Sequence, residues 1–274
     1  MAPASPRREL HWRAEGRAID LRCTHQASPG GGGEEMDRPD PAEGGALRIL
    51  GIVDLHWNGK REPRLPDTKG YDLVLVAGDL TNFLGVSHAR TLIDGLRTGG
   101  APVYAVCGNC DLPEIEQYLE DEGIALDRRA IVHRELCLAG LSGGLPFGDL
   151  PYERTEEEYE VACREVWEAV SAADPAGERP VLLVSHQPAH GTECDLARGN
   201  HVGSKSIRAS IETHRPDLVF SGHIHESVGE GRLGTTRLVN PGPWFEGRWV
   251  EIVVDPRAAP GRRIELQIQQ AERS

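Results

Sequence analysis

The sequence predicts an α/β fold. Short apolar runs rich in Val, Leu and Ile alternate with stretches of helical period, which is the signature of strands layered with helices. Five of those runs stop abruptly at clusters of Asp, Asn or His. Near the end of the chain the helices drop out and strand-like runs follow one another directly.

Residues 1–45 have a different character. They hold four consecutive glycines (Gly30 to Gly33), several prolines and many charges without an apolar period, so a disordered N-terminal extension is expected there. Residues 46–270 are expected to form one domain. Met36 precedes the first strand-like run closely enough to be the natural start. Arg7-Arg8 is not followed by the apolar run that an export signal requires.

The elements then follow in order. Apolar runs at residues 47–53, 73–77, 102–107, 181–184 and 218–220 are bounded by turn signals and predict buried strands. Thr155 and Glu158 have the spacing of a capping box, and Tyr159, Cys163, Val166 and Val170 fall on one face of the helix it opens. A second helix is expected over residues 203–214, with Ile207 and Ile211 one turn apart. Its start, Gly203-Ser204-Lys205, reads either as an anion-binding helix N-terminus or as a solvated capping turn, and the loop 191–205 as a wall of the substrate site. Residues 237–240, 248–254 and 262–268 predict adjacent antiparallel strands.

With 43 acidic and 30 basic residues the chain carries a formal net charge of −13. That balance argues against broad binding to nucleic acid or anionic membranes, both of which need Lys/Arg patches. No stretch approaches the roughly 20 apolar residues of a membrane span. The six cysteines are scattered and several sit in apolar runs, which fits a reducing cytoplasm better than a disulfide framework. Cys107 and Cys110 form a lone C-x-x-C, with Cys107 in a strand pattern, so a redox pair is not expected.

The chemistry lies where the apolar runs stop. Asp54 and His56 follow the first run and in extended backbone would share one side. Asp79 ends the second, Asn109 and Cys110 the third, His186 the fourth, and His223 and His225 the fifth. Sites in open α/β sheets lie beyond the carboxyl ends of the strands, so these residues are expected to converge. Two carboxylates and four imidazoles buried together would be costly unless cations neutralise them. Seven N and O donors exceed one four-coordinate zinc and suit two ions sharing a carboxylate, about 3.5–4 Å apart.

The ordered blocks Asp54-x-His56, Gly78-Asp79, Gly108-Asn109-Cys110-Asp111, His186 and Gly222-His223-x-His225 resemble the calcineurin-like metallophosphoesterase superfamily. Further likeness at His186-Gln187-Pro188, Gly203-Ser204-Lys205 and Asn240-Pro241-Gly242 resembles its Icc-related branch of predicted phosphoesterases. The resemblance implies a four-layer αββα sandwich with a dinuclear site. It implies that Asp54, His56 and His225 hold one divalent metal ion, that Asn109, His186 and His223 hold the other, and that Asp79 bridges them. Mn2+ is the expected metal, with Fe, Zn, Ni and Co also suited to such donors.

The implied reaction is hydrolysis of a phosphoester by a hydroxide between the metals, phosphodiesters being favoured over monoesters, with Asn109, Cys110 and His186 closest to the chemistry. A small-molecule phosphoester is the expected partner; oligomeric state stays open. Cys110 stands where the family usually has His, so a weaker proton donor faces the leaving group. Other proteins of this fold act as interaction scaffolds or as nucleases. The intact donor set argues against the first, the short acidic chain against the second.

Overall fold

In the computed structural model, residues 45–271 are described. The expected extension, Met36, Arg7-Arg8 and Cys23 lie outside them, apart from Gly45 at its boundary.

In chain order the elements are β1 (Leu47–Ile52), β2 (Leu73–Ala77), α1 (Val86–Leu96), β3 (Val103–Val106), α2 (Pro113–Asp121), β4 (Ala130–His133), β5 (Leu136–Leu141) and α3 (Glu156–Ala173). Then come β6 (Val181–Ser185), the two-residue strands β7 (Leu196–Ala197) and β8 (Asn200–His201), α4 (Lys205–His214), β9 (Leu218–Ser221), β10 (Gly229–Leu233), β11 (Thr236–Asn240), β12 (Arg248–Val254) and β13 (Ile264–Gln270).

Two large sheets are formed, ordered β13-β12-β1-β2-β3 and β10-β11-β9-β6-β5-β4, and β7 and β8 pair as a separate two-stranded ribbon. Alternating side chains explain the stacking of the two large sheets. In the first sheet Ile49, Leu73, Leu75 and Ile252 share a buried cluster with Leu138, Leu182, Val184, Leu218 and Phe220 of the second. Their neighbours Leu50, Ile52, Val74 and Val76 face the other way, against Leu92, Ile93 and Leu96 of α1 and Ile115 and Leu119 of α2. On the far face of the second sheet, Ala139, Leu141, Leu183 and Val219 pack on Tyr159, Cys163 and Val166 of α3 and on Ile207 and Ile211 of α4. Helices, sheet, sheet and helices make the four-layer αββα sandwich. Strands β1, β2 and β3 run parallel, as do β5, β6, β9 and β11, so their carboxyl ends open on a common edge within each sheet.

The capping box forms as the sequence predicts. Thr155 Oγ1 accepts from Glu158 N, and the Glu158 carboxylate accepts from Thr155 N. The start of α4 differs from the expectation, because Ser204 is its N-cap and accepts from Ile207 N at 3.1 Å. The capping turn expected there forms, but it is buried rather than solvated, and it leaves no free anion site. The Glu156 carboxylate, from the first turn of α3, accepts from Ser204 Oγ, Lys205 N and Ser206 N at 2.7–3.0 Å, so a protein anion already fills the position. The tail also divides. β12 and β13 pair antiparallel, but residues 237–240 join the other sheet through β9 and β10.

Candidate metal centre

Each strand end delivers its donors through a turn. Val53, at the end of β1, is followed by Asp54 (φ 54°) and His56 (φ 46°), both left-handed. The extended pairing expected of Asp54 and His56 is therefore wrong. Their common direction comes from a tight turn, tied down by bonds from Asp54 N to Gly78 O and from His56 N to Asp79 O. Asp79 (φ 50°) and His223 (φ 68°) are left-handed too. Such conformations cost non-glycine residues about 1–3 kcal/mol each and cluster at functional sites. Gly78 has no such cost at φ 89°, and a Cβ there would lie 2.5 Å from His186 Nδ1.

Six of the seven expected donors lie within 4.0 Å of another, and the His223 ring stands beside that of His186. Asp79 Oδ2 lies 3.3 Å from His56 Nε2 and 3.5 Å from His186 Nε2, so its carboxylate stands between the two imidazoles. Asp54 Oδ1 is 4.0 Å from His56 Nε2, 3.7 Å from His225 Nε2 and 3.9 Å from His186 Nδ1. His186 Nε2 is 2.9 Å from Asn109 Oδ1, and the His223 ring centroid is 5.0 Å from that of His186. Three groups of donors are close enough to share a cation: Asp54 with His56 and His225, Asp54 with Asp79 and His186, and His56 with Asp79 and Cys110.

Burial makes the cluster electrostatically incomplete. Asp54, Asp79 and His186 are buried, and the buried atoms Asp54 Oδ1 and His56 Nε2 have no hydrogen-bond partner. They face each other across 4.0 Å, beyond hydrogen-bond reach but close to twice the metal–N/O length of about 2.0–2.2 Å. Burial alone lowers the His186 pKa. The charge and hydrogen bond of Asp79, then the charge of Asp54, reverse that and raise it to about 9. The two carboxylates thus draw positive charge into the site. His223, desolvated and beside His186, is pushed down to about 4 and keeps a free lone pair. With His186 Nδ1 donating to the Ala77 carbonyl at 2.8 Å, its Nε2 faces the cluster. Orphaned buried atoms, clustered imidazole nitrogens and paired carboxylates fit divalent cations.

Cys110 lies at the edge of this group, its backbone N–H donating to Asp79 Oδ1 at 2.8 Å. Burial, then the Asp79 carboxylate, hold its thiol well above the ordinary range, so it is an S–H donor. Ser185 is not free to attack anything, since its hydroxyl donates to Gln187 O at 2.7 Å. The loop 191–205 is tied to itself by Asp195, which accepts from the N–H groups of Gly191, Thr192 and Gly203. It packs beside the segment after His225, through Leu196 N to Ser227 Oγ and Arg198 N to Glu226 Oε1.

Sequence reasoning named Asp111 in the third block but gave it no role, and it missed Gly144 and Phe245. Asp111 is buried and accepts from the N–H groups of Leu80, Thr81 and Gly108, locking the Asp79 turn to the Asn109 turn. Its place two residues after Asn109 was the available signal. Gly144, beyond β5, presses on Asn109, where an added Cβ would come within 3.1 Å of that side chain. Phe245 stands edge-on to the rings of His56 and His225, with centroids 5.7 and 5.2 Å away. Nothing in the residue pattern pointed to either of these two.

A four-layer sandwich with acidic and imidazole donors gathered beyond its strand ends defines a metal-dependent phosphoesterase class. The family model for calcineurin-like phosphoesterase matches residues 46–227, and the chain belongs to that family. The uncharacterized protein MJ1162 of Methanocaldococcus jannaschii is 34% identical over 206 residues, covering 72% of this chain and 88% of its own. Among solved structures, TT1561 of Thermus thermophilus is similar over 82% of this chain and 99% of its own, at 20% identity and a TM-score of 0.57. A 5′-nucleotidase from Candida albicans shares the fold over 81% of this chain and 50% of its own, at 12% identity and a TM-score of 0.51. The family acts on phosphoesters with metal ions. Among the described residues no helix is long and apolar enough to cross a membrane.

Proposed function

We propose that this chain is a phosphodiesterase dependent on two divalent cations, Mn2+ foremost. The observation that carries the reading is that the buried atoms Asp54 Oδ1 and His56 Nε2 have no hydrogen-bond partner, beside an Asp79 carboxylate that faces both His56 and His186. Asp54, His56 and His225 would hold one cation, Asn109, His186 and His223 the other, with Asp79 common to both. Bound there, the cations supply Lewis acidity toward phosphoryl oxygens and lower the pKa of water.

The chain's own residues do the rest. The Asp54 and Asp79 carboxylates fix the charge of the site, and Asp111 keeps the Asp79 and Asn109 turns in register. The Ala77 carbonyl holds the proton on His186 Nδ1 and so leaves Nε2 as the donor atom. Cys110 Sγ–H, within 4.8 Å of donor atoms of His56 and Asp79, would give a proton to the departing alkoxide. A neutral thiol adds no positive charge for a dianionic monoester, which supports a monoanionic diester as substrate.

The test is a metal-reconstituted screen of the stripped full-length chain with Mn2+, Fe2+, Co2+, Ni2+ and Zn2+. Substrates are bis(4-nitrophenyl) phosphate, 4-nitrophenyl phosphate and the 2′,3′- and 3′,5′-cyclic nucleotides. Mn2+ should support diester hydrolysis with kcat/KM at least about tenfold above the monoester, and Asp79→Asn should cost about a thousandfold or more. Loaded protein that hydrolyses none of these, or prefers the monoester, overturns the reading.

A further inference from the structure

Next to the cluster lies a cavity of about 560 Å³, within the range of about 300–1,000 Å³ typical of small-molecule sites. His56 belongs to both. The other walls include Trp57, Trp244 and Phe245, with Arg64 and Glu246 as charged members of the lining. Each indole has its polar edge hydrogen-bonded: Trp57 Nε1 donates to Arg61 O and Trp244 Nε1 to Arg64 O, both at 2.7 Å. Trp244 N also donates to Val53 O at 2.8 Å, which anchors this wall to the residue before Asp54. Phe245 is 53% exposed while standing against His56 and His225, so a large aromatic surface faces open space at the rim of the centre. Rings of this kind offer stacking area with little further entropy to lose.

We infer that the cavity walled by Trp57, Trp244 and Phe245 is a specificity site for a planar aromatic arm of the phosphoester, an aryl group or a nucleobase. The inference rests on the phosphoesterase reading above, because His56 joins the cavity to the proposed phosphate position. A phosphoryl group held by cations bound at Asp54, His56 and Asp79 would lie beside the His56 ring, where the aromatic walls begin.

Equilibrium binding to the Mn2+-loaded full chain tests this without turnover. Tryptophan emission and calorimetry would compare AMP with ribose 5-phosphate, and phenyl phosphate with methyl phosphate. The aromatic member of at least one pair should bind about fivefold or more tightly, the lower end of what base–aromatic stacking contributes. A gain confined to AMP identifies a nucleobase arm, a gain confined to phenyl phosphate an aryl arm, and a gain in both the shared chemistry. Phe245→Ala should bring the ratio close to one, and Phe245→Tyr should retain it. Equal affinities within both pairs for wild type, or a ratio unaltered by Phe245→Ala, overturn the aromatic site while leaving the phosphate site standing. If the loaded protein also hydrolyses none of the diesters in the screen above, the phosphoesterase reading fails and takes this inference with it.

Discussion

At the scale of single residues, the centre concentrates what a folded chain ordinarily avoids. Asp54, His56, Asp79 and His223 occupy left-handed backbone, and Asp54 Oδ1 and His56 Nε2 are buried without partners. Cys110 is the residue at which this chain departs from the usual family block. Its thiol sits within 4.8 Å of Asp79 and His56 donor atoms and is held in the S–H form, first by burial and then by Asp79. A thiol is a weak hydrogen-bond donor, so protonation of the leaving oxygen should limit substrates whose leaving groups are poor. Cys110→His restores an imidazole there. It should raise kcat/KM on dialkyl phosphodiesters about tenfold, a modest share of what general acid catalysis contributes, and leave bis-aryl diesters within about twofold. A steady-state comparison of the two substrates checks this, and an unchanged ratio between them would sink it.

At the scale of elements, α3 and α4 are joined by one side chain. Glu156 stands in the first turn of α3, and its carboxylate accepts from Ser204 Oγ, Lys205 N and Ser206 N at the start of α4. It therefore serves two helix N-termini with one negative charge. Glu156→Ala should cost about 1–2 kcal/mol of stability in urea denaturation at pH 7. Burial alone raises the Glu156 carboxyl, but the Lys205 N–H, the Ser204 hydroxyl and the Ser206 N–H outweigh it and lower the pKa in the folded state. A lowered carboxylate stabilises the fold above its unfolded value of about 4.3, and that contribution disappears as pH falls through the folded value. The gap between wild type and variant should thus be full at neutral pH and close in acid below about pH 4. Sulfate should also stabilise Glu156→Ala more than wild type, because the vacated N-terminus then accepts an external anion. A gap independent of pH would contradict the assignment.

The same elements show what was readable in the residues. Strands β1, β2, β3, β6 and β9 are each followed directly by a segment carrying a donor, and β2 is buried along its length, so continuous apolar runs announced them. The Thr155–Glu158 box was visible because capping is local chemistry. Helix α1 was not marked, although Ala89, Leu92, Ile93 and Leu96 keep a helical period, because Gly85 provides no side-chain cap. Strand β5 ends in Leu141, Ser142 and two glycines without a metal donor, so its contribution at Gly144 left no chemical trace. The left-handed turns at Asp54 and His56 depend on backbone bonds to Gly78 and Asp79, which lie in a separate block of the sequence beyond β2. Spacing along one strand could not reveal them.

At the scale of the whole molecule, the sandwich places a shared-charge site between elements of both sheets. Asp54, His56, Asp79 and Asn109 come from the first sheet, His186, His223 and His225 from the second, so a cation bound to both sets is a crosslink between layers. A ligand that binds only the folded state stabilises it by about 2.7 kcal/mol at a hundredfold excess over Kd. For a domain of this size that corresponds to about 5–10 °C in Tm. Calorimetry of the metal-loaded protein, the EDTA-stripped protein and the stripped protein given Mn2+ should show a fall of this size and its recovery. Asp79→Asn removes the carboxylate between His56 and His186, so its Tm should respond little to either treatment. Asp79→Asn also removes the anion that pairs with His56 and His186, so stripped Asp79→Asn should melt below stripped wild type. Should metal analysis show the ions gone while Tm stays within about 1 °C, the layers are held by their apolar cores alone and the centre contributes nothing to the fold.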